Sequence, residues 1–172
     1  SESDLIEYSY MLAVHFPEKA DEILAQQLSR ITNPDRRKEY EFVMQALSPE
    51  KVQRKAFFEQ LMLPENWTVE PWAQTALRWL NHPVRYPESL DYIRPALDML
   101  CEVQREGDIF FPANWCSALL SGHTSPEALG IGENFFTNHP DYSKLLESKI
   151  RQRADHLYIV NDLPDKRFRK SD

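Results

Sequence analysis

Residues 16–35 read Phe16-Pro17-Glu18-Lys19-Ala20-Asp21-Glu22-Ile23-Leu24-Ala25-Gln26-Gln27-Leu28-Ser29-Arg30-Ile31-Thr32-Asn33-Pro34-Asp35. Ala20, Ile23, Leu24, Leu28 and Ile31 recur at i, i+3, i+4, i+8 and i+11, while Asp21, Glu22, Gln26, Ser29 and Arg30 fall on the other side. That is the period of a surface helix with one apolar face. The stretch opens on Pro17 and the next helix is announced by Asn33-Pro34-Asp35, an N-cap side chain, a proline at the first position and an acid in the first turn.

The same punctuation recurs along the chain. Ser48-Pro49-Glu50 and Ser125-Pro126-Glu127 repeat the cap, proline and acid. Weaker versions stand at Phe16-Pro17-Glu18, Glu70-Pro71-Trp72, Tyr86-Pro87-Glu88, Phe111-Pro112-Ala113 and His139-Pro140-Asp141. Tyr142, Leu145, Leu146, Ile150, Ala154 and Leu157 form a second stripe, which predicts a helix over about 140–160. Pro95 should kink or divide a helical stretch, and Gly107 and Gly122 read as residues closing helices. No segment alternates over more than a few residues, and only Asp108 to Phe111 and Leu157 to Val160 have local β character, so no sheet is expected. The chain is therefore all-α, about nine or ten helices joined by short turns. Intervals of 14–17 residues between prolines suggest antiparallel helix pairs in an irregular α-solenoid, an armadillo- or HEAT-like superhelix, with a closed bundle as the other arrangement.

Composition is consistent with one ordinary domain. The chain has 172 residues, 42% apolar and 27% charged, with a formal net charge of −7. One α-helical domain over 1–163 is expected, followed by a polar, basic tail at 164–172 that holds Lys166, Arg167, Arg169 and Lys170. The acidic balance excludes a phosphate-binding surface of clustered Lys and Arg, and hence nucleic acid as a partner. No apolar run reaches the length of a membrane span. Cytoplasm and periplasm fit such a chain equally.

Chemistry leaves few marks. The histidines His15, His82, His123, His139 and His156 share no helix at ligand spacing, so no metal and no cofactor is assigned to this chain. Cys101 and Cys116 sit among apolar neighbours and read as buried thiols. Gly130-Ile131-Gly132 lies within a helical pattern and reads as close helix packing. His123, in Ser121-Gly122-His123-Thr124-Ser125-Pro126, occupies the loop richest in glycine and hydroxyl groups, where it should anchor the loop. A hydrolase built on His123 with Cys116 or Ser121 lacks any supporting motif. Trp72 and Trp79 share a helix face, reading as core or the wall of a groove. Leu5 to Phe16 is apolar on nearly every side, which requires cover on every side. Leu5, Ile6, Tyr8 and Tyr10 are expected either to lie in the domain's own core or to cause weak self-association through residues 5–10.

Several blocks resemble the C-terminal helical domain of the aminopeptidase N family of zinc metallopeptidases, in its bacterial branch. They are His15-Phe16-Pro17-Glu18-Lys19-Ala20, Thr32-Asn33-Pro34-Asp35-Arg36-Arg37 with Glu41-Phe42-Val43, and Pro71-Trp72 running to Leu80-Asn81-His82-Pro83. The most specific are Tyr92-Ile93-Arg94-Pro95-Ala96-Leu97, Val103-Gln104-Arg105, Gly107-Asp108-Ile109-Phe110-Phe111-Pro112 with Trp115, and Gly122-His123 with Ser125-Pro126-Glu127-Ala128. Ala113-Asn114 and Cys101 depart from the family pattern, which tends to basic residues and to proline there. The resemblance implies a helical superhelix lying over the cleft of a zinc peptidase and shaping peptide access. The zinc motif H-E-x-x-H and the G-x-M-E-N loop are absent from this sequence, so by resemblance the chain is a non-catalytic part. Its partners would be the upstream catalytic domain, which holds the zinc, and the peptide substrate. Trp72, Arg94, Phe110, Phe111, Trp115 and His123 are the candidate groove or loop-anchoring residues. The alternative is a free-standing helical-repeat scaffold that binds a protein.

Overall fold

A computed structural model describes the backbone of residues 1–168 and the side chains of residues 1–161. The chain is all-α, with eleven α-helices and no strand among the described residues. Its contacts divide it into two compact units, Ser1–Leu80 and Asn81–Asp172, where the sequence suggests one domain over 1–163. The side chains of the basic tail at 164–172 lie outside the described residues.

The first unit holds α1 (Glu2–His15), α2 (Ala20–Arg30), α3 (Pro34–Val43), α4 (Lys51–Leu61) and α5 (Glu70–Leu80). The apolar stripe of α2 behaves as its period requires, with Ala20, Leu24 and Ile31 buried and Asp21, Glu22 and Ser29 in solvent. Helix α1 packs on α2, and α3 on α5, around a 3₁₀ turn at Met44–Leu47. Tyr10 stacks on Tyr40 with ring centroids 4.9 Å apart and meets Trp79 edge-on at 5.8 Å. The Tyr40 phenol shares a 2.8 Å hydrogen bond with Ser9 Oγ, which satisfies a polar atom at the centre of this core.

The second unit holds α6 (Leu90–Asp98), α7 (Leu100–Glu106), α8 (Phe111–Leu120), α9 (Pro126–Asn138), α10 (Lys144–Arg153) and α11 (Asp155–Phe168). Helix α8 is the core piece, packed by α6, α7 and α10, while α6 and α11 also lie on α9. Phe111, Trp115 and Leu119 of α8 are buried, as are Ile93 and Leu97 of α6 and Leu146 and Ile150 of α10, the helices that pack on it.

The proline signals resolve into three groups. Asn33 and Ser125 cap α3 and α9 as expected, with Asn33 Oδ1 accepting from the Asp35 and Arg36 amides and Ser125 Oγ from Ala128. Pro71 and Pro112 fall at the second helical position, and Pro17 opens a 3₁₀ turn that leads into α2. Pro49 lies in a bend and Pro87 and Pro140 lie within turns instead, and their helices begin at Lys51, Leu90 and Lys144. At Pro49 the cause is Arg54, whose buried guanidinium donates to the carbonyls of Ser48 (2.7 Å) and Pro49 (2.8 Å) and holds the segment as a turn.

Five further expectations are corrected in whole or in part. The helix over 140–160 is two helices, broken at Ala154, and the α6–α7 break falls at Met99 rather than at Pro95, which stays inside α6. Gly107 and Gly122 do follow helices, yet neither has a positive φ, so no left-handed cap explains them. Gly130 and Gly132 have open space where a Cβ would stand, so close packing does not explain them either. Cys101 is exposed; only Cys116 is a buried thiol.

Candidate functional site

The loop 121–125 leaves the end of α8 and enters α9, and it is fastened to the start of its own unit. Gly122 lies so close to the backbone at Asn81 that a Cβ would stand 1.9 Å from the Asn81 carbonyl oxygen. Only a glycine permits that approach. The next residue, His123, is buried and donates through Nε2 to Asn81 Oδ1 at 2.9 Å. From behind, His156 on α11 points Nε2 at the carbonyls of Leu120 (3.1 Å) and His123 (2.9 Å), donating to both. Burial lowers the His123 pKa to about 4, and the neighbouring His156 adds to the effect, so the imidazole is neutral at physiological pH. A neutral ring held by an amide oxygen and walled in by a second imidazole fixes a loop. Among the described residues no carboxylate is hydrogen-bonded to the ring, whose partner is the Asn81 amide oxygen.

A second constellation prepares the entry into α8. Asp108 Oδ1 accepts from the amides of Phe110 (2.7 Å) and Phe111 (2.8 Å), capping the helix from within Gly107-Asp108-Ile109-Phe110-Phe111-Pro112. Gly107 makes room for the Phe111 ring, which a Cβ at 107 would meet at 2.2 Å. Phe111 then meets Trp115 edge-on at 5.7 Å, and the Trp115 indole donates to the Ala96 carbonyl at 3.0 Å. This clamp turns Phe111 inward. It leaves Ile109 and Phe110 in solvent, at 79% and 63% exposure, on a loop that the cap and the buried ring hold in place.

Of the candidates, Phe111, Trp115 and His123 are buried anchors, Phe110 faces solvent and Arg94 is half-buried. Arg94 pairs with Asp98 at 3.0 Å and covers the Phe135 ring at 5.0 Å. Trp72 belongs to the first unit, where it is half-buried against Phe42 at 6.0 Å. Phe111 and Trp115 come together on α8, and His123 is fastened to Asn81. The Cys116 thiol is buried and its pKa is pushed up to about 12, which works against the thiolate that a His123 partnership would need.

Sequence reasoning did not find Asn81 or His156, the two residues that secure His123. Asn81-His82-Pro83 reads as a helix end, and nothing local marks its amide as the partner of a loop 42 residues away. Also unforeseen is the network in which Arg151 donates to Glu133 (2.8 Å), Glu147 (3.0 Å) and Tyr158 (2.8 Å) and lies over Phe136 at 4.4 Å, with Tyr158 donating to Glu133 in turn. Its groups bond to one another across three helices, which makes it a strut for α9, α10 and α11. In the first unit, Ser3, Glu7, Tyr10, Arg36, Glu39 and Arg78 line a cleft of about 210 Å³. Its Arg78–Glu7 pair closes at 3.0 Å. Among the described residues no group of three or more His, Cys, Asp or Glu side chains stands together as a metal site. A scan against protein-family models and searches of curated proteins and of solved structures return no match to this chain.

Proposed function

We propose that this chain is the C-terminal helical domain of an aminopeptidase of the aminopeptidase N type, non-catalytic in itself. In this reading its helix pairs are arranged as an armadillo- or HEAT-like superhelix that covers the catalytic cleft of the parent enzyme and shapes peptide access. Zinc belongs to the catalytic domain, which is the chain's partner together with the peptide.

One observation carries the reading: four of the resembling blocks, separated in sequence, meet in pairs within the second unit. Asn81 of the Leu80-Asn81-His82-Pro83 block holds His123 of the Gly122-His123 block. Ala96 of the Tyr92–Leu97 block receives Trp115, and Asp108 caps the helix that presents Trp115. A chance likeness in composition would not select the residues that lock loops to one another. The same locks leave Ile109 and Phe110 at the surface, where a catalytic domain or a peptide would meet them.

The test is the reading frame upstream of this segment together with the activity of the whole gene product. The reading expects an H-E-x-x-H and a G-x-M-E-N motif upstream. It also expects Phe110→Ala in the whole enzyme to change kcat/KM for long peptides more than for a single-residue amide. A frame with no zinc motif overturns it and leaves the protein-binding scaffold as the function.

A further inference from the structure

Three helices of the first unit line the cleft of about 210 Å³ from positions three or four residues apart. Helix α1 supplies Ile6, Glu7 and Tyr10, α3 supplies Arg36 and Glu39, and α5 supplies Arg78. Two of these groups have no partner among the described residues. Tyr10 is 2% exposed, so of the two places the sequence leaves open to it, it takes the core. Its hydroxyl nevertheless makes no hydrogen bond, in contrast to the stacked Tyr40, whose phenol is held by Ser9. A buried hydroxyl ordinarily finds a partner, because leaving it bare forfeits the hydrogen bonds it had in water. Burial raises the pKa of the Tyr10 phenol, and beyond Tyr40 the charges that act on it are those of Glu39, Glu7 and Arg78, all lining the cleft. The hydroxyl is therefore protonated and lies on the cleft side of its ring. Glu39 is half-buried without an ion pair, and burial raises its pKa although the Arg36 charge acts against the rise. Both guanidiniums are engaged, Arg36 with Glu2 at 2.7 Å and Arg78 with Glu7 at 3.0 Å. An anion would have to displace a carboxylate, whereas a cation meets one that is uncompensated.

We infer that this cleft binds a small primary alkylammonium, with Glu39 as its counter-ion, the Tyr10 hydroxyl accepting one of its N–H groups and Ile6 against its alkyl chain. A carboxylate and a phenol oxygen both accept, and an ammonium has three N–H groups to give. Thr75, half-buried on the same lining, adds a further hydroxyl. One ligand group thus supplies the two partners that the chain itself does not. An alcohol would leave Glu39 uncompensated, and a quaternary ammonium has no N–H for Tyr10. Size follows from the volume, which is below the roughly 300 Å³ where sites for drug-sized ligands begin and suits a chain of about four carbons. The Arg78–Glu7 pair beside the phenol is 46% and 44% exposed, the weak kind of ion pair that yields to an entering ligand.

The inference rests on the first unit and is independent of the aminopeptidase reading. Titration of the full chain with n-butylammonium chloride at constant ionic strength, followed by amide NMR shifts, tests it. Saturable shifts around the cleft on α1, α3 and α5 are expected, with dissociation in the millimolar range that so few atoms allow. n-Butanol and tetramethylammonium should each bind about tenfold or more weakly. Glu39→Gln should weaken n-butylammonium about tenfold and Tyr10→Phe about threefold to tenfold, with the spectrum away from the cleft unchanged. Glu59→Gln, on the exposed side of α4, should leave the affinity unaltered. The absence of saturable shifts, an equal affinity for n-butanol, or an affinity indifferent to both cleft substitutions overturns the inference. Tyr10→Phe has a second readout without ligand: because the hydroxyl bonds to no described group, the urea midpoint should not fall below that of the wild type. A lower midpoint would mean that the phenol has a partner within the chain, and the ground for the site would be gone.

Discussion

His123 shows at a single residue how burial becomes a pH dependence. Its imidazole is neutral in the folded protein because the folded-state pKa is lowered to about 4. In the unfolded chain an exposed imidazole titrates near 6.5, so between these values the unfolded state binds the extra proton. The stabilisation is therefore complete above about pH 6.5 and fades as the pH falls towards 4. At pH 4.5 it amounts to a loss of about 2.5 kcal/mol relative to pH 7. Urea unfolding of the wild type and of His123→Gln at both pH values isolates this share from that of the carboxylates. The difference in stability between the two proteins should shrink by about that amount on acidification. A constant difference would mean that the ring is not desolvated. The role of His123 as a loop anchor was legible, because a histidine beside Gly122 in a hydroxyl-rich loop has little else to do. Its partners were not legible, since Asn81 and His156 are distant in sequence and hydrogen-bond pairing over such separations leaves no local pattern.

At the level of the element, local chemistry predicts what local chemistry decides. Asn33 and Ser125 cap their helices because a side-chain oxygen at that position reaches the amides two and three residues on, whatever the rest of the chain does. Ser48-Pro49 carries the same signal and yields a turn, since Arg54 supplies hydrogen bonds to two carbonyls from the following helix. Breaks at Met99 and Ala154 were unmarked for a related reason: neither has a glycine or proline at the break, and tertiary packing alone sets the two helix directions. This contrast gives a paired expectation for thermal or chemical unfolding. Ser125→Ala should cost about 1 kcal/mol, the usual worth of a cap. Arg54→Ala should cost about 2–3 kcal/mol, because it removes the donor from two carbonyls, and in the case of Ser48 the bond is buried. Equal losses would mean that Arg54 does not organise the turn.

For the molecule as a whole, the absence of alternation and the proline spacing were enough to give an all-helical chain. Division into two units was not visible, because the linker carries no glycine run or charge block and Asn81 itself is buried. Far-ultraviolet circular dichroism should show a helix-dominated spectrum with strand below about 15%, well under the globular average; a larger strand content would contradict the fold. The unequal burial of the two thiols gives the second unit a built-in reporter. Cys101 is open to an alkylating reagent in the native protein, whereas Cys116, on α8, is buried with its thiolate suppressed. A pulse of reagent thus marks one sulfur at once and the other only during the moments when the helices around it separate, so the mass added per minute counts those openings directly.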